Sequence, residues 1–345
     1  MLKKSIGALL ISTALFSCQK NSGEGTVKEP VGWEMMNTPV KASLRGLSPV
    51  TEDIIWSSGS GGTWLKSLDG GQTWTHGIVD SLDSVDFRSI YAFDAEQAIV
   101  VSAGQPAVIY KTEDGGQTWT KKHQEPADAF LDGISFADED RGYVFGDPVE
   151  GRWTILETKD QGENWSLIDS LPLAESGEAG FAASASSLLA LDDELWLGSG
   201  GTVSNLYYSP NRGKTWEKWK SNLAQGNPSR GIFSITHVGN GEIIAVGGDY
   251  TQEKEITGNA GLFLIPDQEW LQPTSPPAGY RSAVAYFSHY HWVIATGPSG
   301  SDFSTDGGKN WTLFSSEGYH AVSRAHSGGA IWASGADGKI GRLKY

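Results

Sequence analysis

"SLDGGQTW", residues 67–74, returns almost unchanged as "TEDGGQTW" at 112–119, and in looser form as "TKDQGENW" at 158–165, "SPNRGKTW" at 209–216 and "STDGGKNW" at 304–311. An octapeptide that recurs through a chain marks a repeat architecture, each copy belonging to one supersecondary unit. The shared frame is Ser/Thr-x-Asp/Asn-x-Gly-x-Thr/Asn-Trp, and its parts suit a tight β-hairpin. The side chains of Asp69, Asp114, Asp160, Asn211 and Asp306 can accept backbone N–H bonds within their own turns. Gly71, Gly116, Gly162, Gly213 and Gly308 can adopt φ > 0. Trp74, Trp119, Trp165, Trp216 and Trp311 then bury a ring between neighbouring sheets. One carboxylate per copy is too few for calcium, which takes about six to eight oxygens. The motif is expected to lock turns rather than to bind or catalyse.

The frame resembles the Asp-box, or BNR repeat, of sialidases and other β-propellers. A second repeat sets the number of units. Apolar strands end in glycine at Gly59, Gly104, Gly146, Gly200, Gly248, Gly297 and Gly335, which makes seven units against five boxes. The fifth unit carries only the degraded "IPDQEW", and the seventh reaches Tyr345 without a box. A spacing of roughly forty residues fits a four-stranded propeller blade. The last unit supplies three strands, and "GWEMMNTPVKA", residues 32–42, is the candidate for its fourth. The expected fold is therefore all-β: one seven-bladed propeller over residues 31–345, its ring closed by pairing of the N-terminal and C-terminal strands, which leaves no exposed sheet edge at the seam. The 44 glycines and 14 tryptophans agree with many short strands and tight turns.

Ahead of the propeller, Lys3 and Lys4 precede an apolar run from Ile6 to Phe16 that is too short to span a bilayer. "LFSC" then ends at Cys18, the single cysteine. This resembles the lipobox of bacterial lipoproteins and implies a signal peptide over 1–17 with lipidation at Cys18. Residues 18–30 are polar and read as a flexible tether of roughly 20 Å reach. The implied location is a bacterial cell envelope, on the periplasmic or the outer surface, with the membrane engaged through the lipid alone. With 41 acidic residues against 26 basic ones the chain carries a net charge of −15, which excludes nucleic acid as a natural partner. No cysteine pair is available, so stability must come from the core, and a monomer suffices for it.

In a propeller the first strand of each blade lines the central channel. The openings of these strands, "LRGLS", "FRSIY", "FLDGIS", "EAGFAAS", "RGIFSI", "YRSAVA" and "YHAVS", place Arg45, Arg88, Asp132, Glu178, Arg230, Arg281 and His320 near one ring at the channel mouth. Converging guanidinium groups suit a carboxylate or phosphate; alternatively, the ring pairs with its own acids and plugs the channel. Asp147, Asp249 and Tyr250 lie in upper loops, where functional side chains concentrate. "HYH" at 289–291 falls in a turn with no nearby carboxylate, and no nucleotide, hydrolase, zinc or thiol-redox motif occurs. No cofactor or metal is expected.

"SLRGLSPVTEDIIWSSGSGGTWLKSLDGGQTW", "GYRSAVAY" and "GPSGSDFSTDGGKNW" are similar to the propeller family typified by the photosystem II stability and assembly factors. The resemblance implies a non-enzymatic scaffold that holds a partner protein by an arginine-bearing face, here Arg45, Arg88, Arg230 and Arg281, the partner being an envelope or membrane protein. Two other readings stay open. A sialidase-like hydrolase would use Tyr250 or Tyr280 as nucleophile with Glu178 and Asp147, although the Arg-Ile-Pro signature is missing. A carbohydrate-binding lipoprotein for acidic glycans would use Tyr280 and Tyr319 as exposed aromatics.

Overall fold

Strand pairing begins at Val31, whose N–H donates to the carbonyl of Lys344 at 2.8 Å. Gly32–Met35 then runs antiparallel to Ile340–Lys344, Trp33 opposite Leu343, and completes the sheet that Ala321–Arg324 and Ile331–Ser334 share. The computed structural model describes residues 28–239 and 241–345. The leader, Cys18 and most of the tether lie outside them. Seven antiparallel sheets follow in chain order, so the chain is a seven-bladed propeller closed by its two ends.

Blade one shows the plan: Leu44–Pro49 against the channel, then Ile55–Gly59, Thr63–Ser67 and the outer Thr75–Ile78. Burial falls from the wholly buried second strand to the exposed fourth. Between blades lie apolar layers, such as Trp56, Trp64, Phe87, Val100 and Trp119 between the first and the second. Inner-strand serines join neighbouring blades: Ser48 accepts from Ala92 N–H, Ser135 from Ala190 N–H and Ser234 from Val284 N–H, at 2.9 to 3.1 Å. Each bond satisfies a backbone donor on the next blade, so these serines fix how the sheets meet.

The boxes sit between third and fourth strands and act as locks. Asp69 Oδ1 accepts Thr73 N–H at 2.8 Å and its Oδ2 accepts the Thr73 hydroxyl at 2.5 Å. Ser67 Oγ accepts Gly71 N–H, and Trp74 Nε1 donates to Gly71 O. The same acceptor pattern holds at Asp114, Asp160, Asn211 and Asp306. These bonds pull the Asp69 pKa down to about 2, the Thr73 hydroxyl being the largest cause.

The second glycine of the box has a further reason to be glycine. A Cβ on Gly116 would lie 2.4 Å from the Trp64 ring of the preceding blade, and one on Gly162 would lie 2.3 Å from Ile99 Cδ1. The position before it has positive φ too, yet holds the half-buried Gln161 and the exposed Arg212 at φ 58° and 60°. Packing against the neighbouring blade, more than turn geometry, confines the second position to glycine.

One sheet departs from the plan. The fifth blade opens with the eleven-residue strand Asn227–His237, whose first half runs above the ring and pairs with Gly200–Gly201, which pairs in turn with Glu178–Ala179. The fourth blade's inner strand is accordingly short, Leu188–Leu191, and residues 180–187 are left to cross the channel.

Candidate functional site

The crossing segment divides the channel. Ser184 Oγ donates to Ser282 O of the sixth blade at 2.8 Å, Ser186 Oγ meets Ser234 Oγ at 2.7 Å, and Arg45 reaches over from the first blade to donate to Ala183 O at 3.3 Å. Above it is a cavity of about 570 Å³; below it is a separate one of about 310 Å³ with none of the same lining residues. The channel is thus plugged by backbone and serines, and the upper cavity is an open mouth.

Its wall is built by β-bulges. In blades one, two, three and five the ladder between the first two strands slips at its opening, between Leu44 and Gly46, Asp86 and Ser89, Leu131 and Gly133, and Ile232 and Ser234. The residues left out of register include Arg45, Arg88, Asp132 and Phe233, all of which line the mouth. A bulge re-aims a side chain in this way. Ser282, His320 and the Gly180–Ala183 segment complete the circle, with Asp147 and Tyr250 from the upper loops.

The structure thus brings together Arg45, Arg88, Asp132, His320, Asp147 and Tyr250 of the expected residues and places four others elsewhere. Arg281 is one residue out of phase. Its N–H donates to Gly247 O of the preceding blade, as Leu44 N–H does to Gly335 O and Tyr319 N–H to Gly297 O. It therefore occupies the inward position that Leu44, Phe87, Leu131 and Tyr319 fill elsewhere, wholly buried, and its Nε donates to Asp302 Oδ2 at 2.6 Å. A shift of one residue along a strand exchanges faces. Arg230 lies two residues before the blade-five bulge; it sits opposite Asp249, and its Nε donates to Asp249 Oδ2 at 2.8 Å over a different groove. Burial would raise the Asp249 pKa, but bonds from Thr251, Arg230 and Ser229 outweigh it and hold the carboxyl far below its usual range. Glu178 is buried within the upper ribbon, where it accepts from Tyr207 OH at 2.7 Å, Asn205 Nδ2 at 3.0 Å and Ser199 Oγ.

These placements remove Glu178 from Tyr250 and Tyr280, so the hydrolase constellation is not assembled at the mouth. The aromatics expected to be exposed also differ. Tyr280 is 4% and Tyr319 1% exposed, whereas Tyr250 is half exposed. Phe181 and Phe233, which sequence reading missed, stack at 3.7 Å between centroids, with Tyr280 edge-on to Phe233 at 4.8 Å and Tyr250 at 6.1 Å. The signal for Phe233 was available: it follows the inward apolar residue Ile232 as Arg45 follows Leu44.

Electrostatically the mouth has two halves. Burial, then the Arg88 charge, lowers the pKa of Arg45, and among the described residues Arg45 forms no ion pair. Arg88 is partly committed, its Nε bonded to Asp86 at 2.7 Å. Burial and the two arginines push His320 down to about 4, so it is neutral at pH 7. Opposite in kind, Asp132 is 1% exposed with neither carboxyl oxygen bonded, and burial followed by the Asp147 charge raises its pKa well above the ordinary range. Asp147 Oδ1 accepts Gly180 N–H at 2.7 Å, while burial raises its pKa too. Among the described residues no three metal-ligating side chains come together. The "HYH" turn has His291 Nδ1 at 2.9 Å from Tyr286 OH.

The family model described as photosynthesis system II assembly factor YCF48 matches residues 26–127. A solved structure of YCF48 bound to D1 peptide covers 92% of this chain and 98% of its own, at 18% identity and a TM-score of 0.63. YCF48 from Cyanidioschyzon merolae covers 90% and 98%, at 19% identity and 0.59. The WD40 propeller domain of Doa1 covers 91% and 97%, at 11% identity and 0.60. No curated protein sequence matches the chain. At these identities the solved structures speak for fold, and together with the match over the first two blades they identify the chain as a seven-bladed, BNR-type β-propeller similar to the YCF48 photosystem II assembly factors.

Proposed function

We propose that this propeller is a non-enzymatic holding factor that binds a segment of a partner protein in its upper mouth. A carboxylate of the segment, from an acidic side chain or a chain end, sits on Arg45 and Arg88, and an apolar side chain lies on the ring wall of Phe181, Phe233 and Tyr250. One observation carries the reading: Arg45 is a half-buried guanidinium with no acidic partner among the described residues, beside stacked rings, at the mouth of a cavity of about 570 Å³. Guanidinium groups recognise carboxylates with two parallel bonds, and aromatic anchors supply much of the energy of peptide interfaces. A relative of the same fold is described as bound to a peptide. The lipobox at Cys18 would hold the domain at an envelope membrane, so an envelope or membrane protein is the natural partner.

The test uses the chain as bait for detergent-solubilised membrane proteins of its own cell, beside an Arg45→Ala/Arg88→Ala variant and an Arg230→Ala control. A protein retained by wild type and by Arg230→Ala, but lost from the folded double variant, supports the reading. Equal retention by all three removes the mouth from it.

A further inference from the structure

The acidic half of the mouth has no role in that reading. Asp132 stands at a bulge position, equivalent to Arg45 in the first blade, so its side chain belongs to the wall of the mouth rather than to the sheet. Neither oxygen has a partner, although the residue is 1% exposed. Its carboxyl packs against the bare Cα of Gly180, where a Cβ would fall 2.2 Å from Asp132 Oδ2, so glycine at that position admits the acid to the wall. Arg88 is near enough for its charge to oppose burial at Asp132, but it forms no hydrogen bond or ion pair with it and bonds Asp86 through Nε. Asp147, also lining the mouth, spends one oxygen on Gly180 N–H, and no donor among the described residues reaches the other. An enclosed carboxyl without a hydrogen bond costs stability, and such groups collect where a ligand completes them.

We propose that Asp132 and Asp147 form a second subsite of the mouth, which takes a cationic N–H group, the side chain of a lysine or arginine, from the same segment whose carboxylate rests on the arginines. The inference rests on the proposed function and sharpens it: the partner segment carries a cation beside its carboxylate. A site with unsatisfied acceptors rejects a ligand that lacks the matching donor, because filling it with an apolar group leaves the carboxyls buried and unpaired. Burial raises both carboxyls above the usual carboxylate range, and a cation placed beside them would lower them again.

Three peptides labelled with fluorescein at the N-terminus test this by anisotropy with the purified chain: Gly-Ser-Gly-Lys-Leu with a free carboxylate, its norleucine-for-Lys counterpart, and the Lys form ending in carboxamide. The Lys free acid is expected to bind at least ten-fold more tightly than the norleucine peptide. Asp132→Asn/Asp147→Asn should reduce that preference to within two-fold and keep the dependence on the carboxylate. A Glu150→Gln/Glu255→Gln variant, which removes the same charge from exposed positions, should keep the preference. Equal binding of the Lys and norleucine peptides to wild type, or a preference that survives in the double Asn variant, overturns the inference while leaving the carboxylate reading intact. Loss of all binding by free-acid peptides overturns that reading and this inference with it.

Discussion

Arg281 and Asp302 form an ion pair sealed inside the sixth blade, 0% and 1% exposed, with Arg281 Nε 2.6 Å from Asp302 Oδ2. The same guanidinium donates to Tyr280 O at 2.8 Å and to Ser299 Oγ at 3.1 Å, so it ties the blade's opening to its third strand and to the turn before it. Removing one partner of such a pair strands the other charge in the interior. Arg281→Ala should therefore lose about 3–5 kcal/mol of stability, read from urea denaturation. Arg281→Met combined with Asp302→Leu should recover most of it, since two apolar side chains leave no orphaned charge.

The box glycines give a paired comparison. Gly116→Ala drives a methyl into the Trp64 ring at a φ of +92° and should cost about 2–4 kcal/mol. Gly115→Ala carries a positive φ as well, but meets the far ends of Lys66 and Glu96 and should cost about 1–2 kcal/mol. Thermal melts of the two variants at one pH rank them; equal losses would contradict the inter-blade explanation.

Asp132 makes stability depend on pH with a definite sign. Its folded pKa lies above the ordinary value of 3.8, so the folded chain holds a proton that the unfolded chain has released. That contribution is complete below pH 3.8 and is lost as pH rises through the folded pKa. Asp132→Asn should match wild type near pH 3 and become progressively more stable than it above pH 4, in urea midpoints measured across the range.

His320 should take up its proton well below the pH at which an exposed imidazole does. With a pKa of about 4 against the ordinary 6.5, it disfavours the folded state as pH falls from 6.5 towards 4. NMR titration of its ring should show no protonation at pH 6. Arg45→Ala should raise the midpoint, because it removes a neighbouring positive charge and opens the site to water.

Arg45 and Arg230 separate the mouth from its surroundings. Arg45→Ala should weaken a carboxylate-bearing peptide by ten-fold or more, while Arg230→Ala, whose side chain is bonded to Asp249 over another groove, should change it less than two-fold. Anisotropy titrations at fixed salt decide this.

The repeats carried the architecture because each is a local device. Asp69 bonds within its own turn, Trp74 Nε1 donates to the carbonyl of Gly71 three residues before it, and seven glycine-ended strands count seven sheets whatever lies between them. Strand alternation is equally local, so the first-strand openings could be placed at the mouth from spacing. Phase was the weak point. Aligning the openings on their arginines put Arg230 and Arg281 in the ring, whereas aligning them on the inward residue, Leu44, Phe87, Leu131, Ile232 and Tyr319, selects Arg45, Arg88, Asp132, Phe233 and His320. A bulge changes the facing of a side chain without changing its residue type, so its position shows in the ladder and not in composition.

The sequence by itself determined a ring of seven blades, the turn locks and the closure of the last sheet by residues near 32, since these follow from contacts within a unit or from a simple count of strands. Only the tertiary structure decided which charges are free. Arg45, Arg230 and Arg281 are alike as letters; one faces an open mouth, one is matched by Asp249, and one is sealed against Asp302. The partner that neutralises a charge, like the 180–187 segment that floors the mouth, comes from another strand or another blade, and whether it arrives is settled by how the sheets meet.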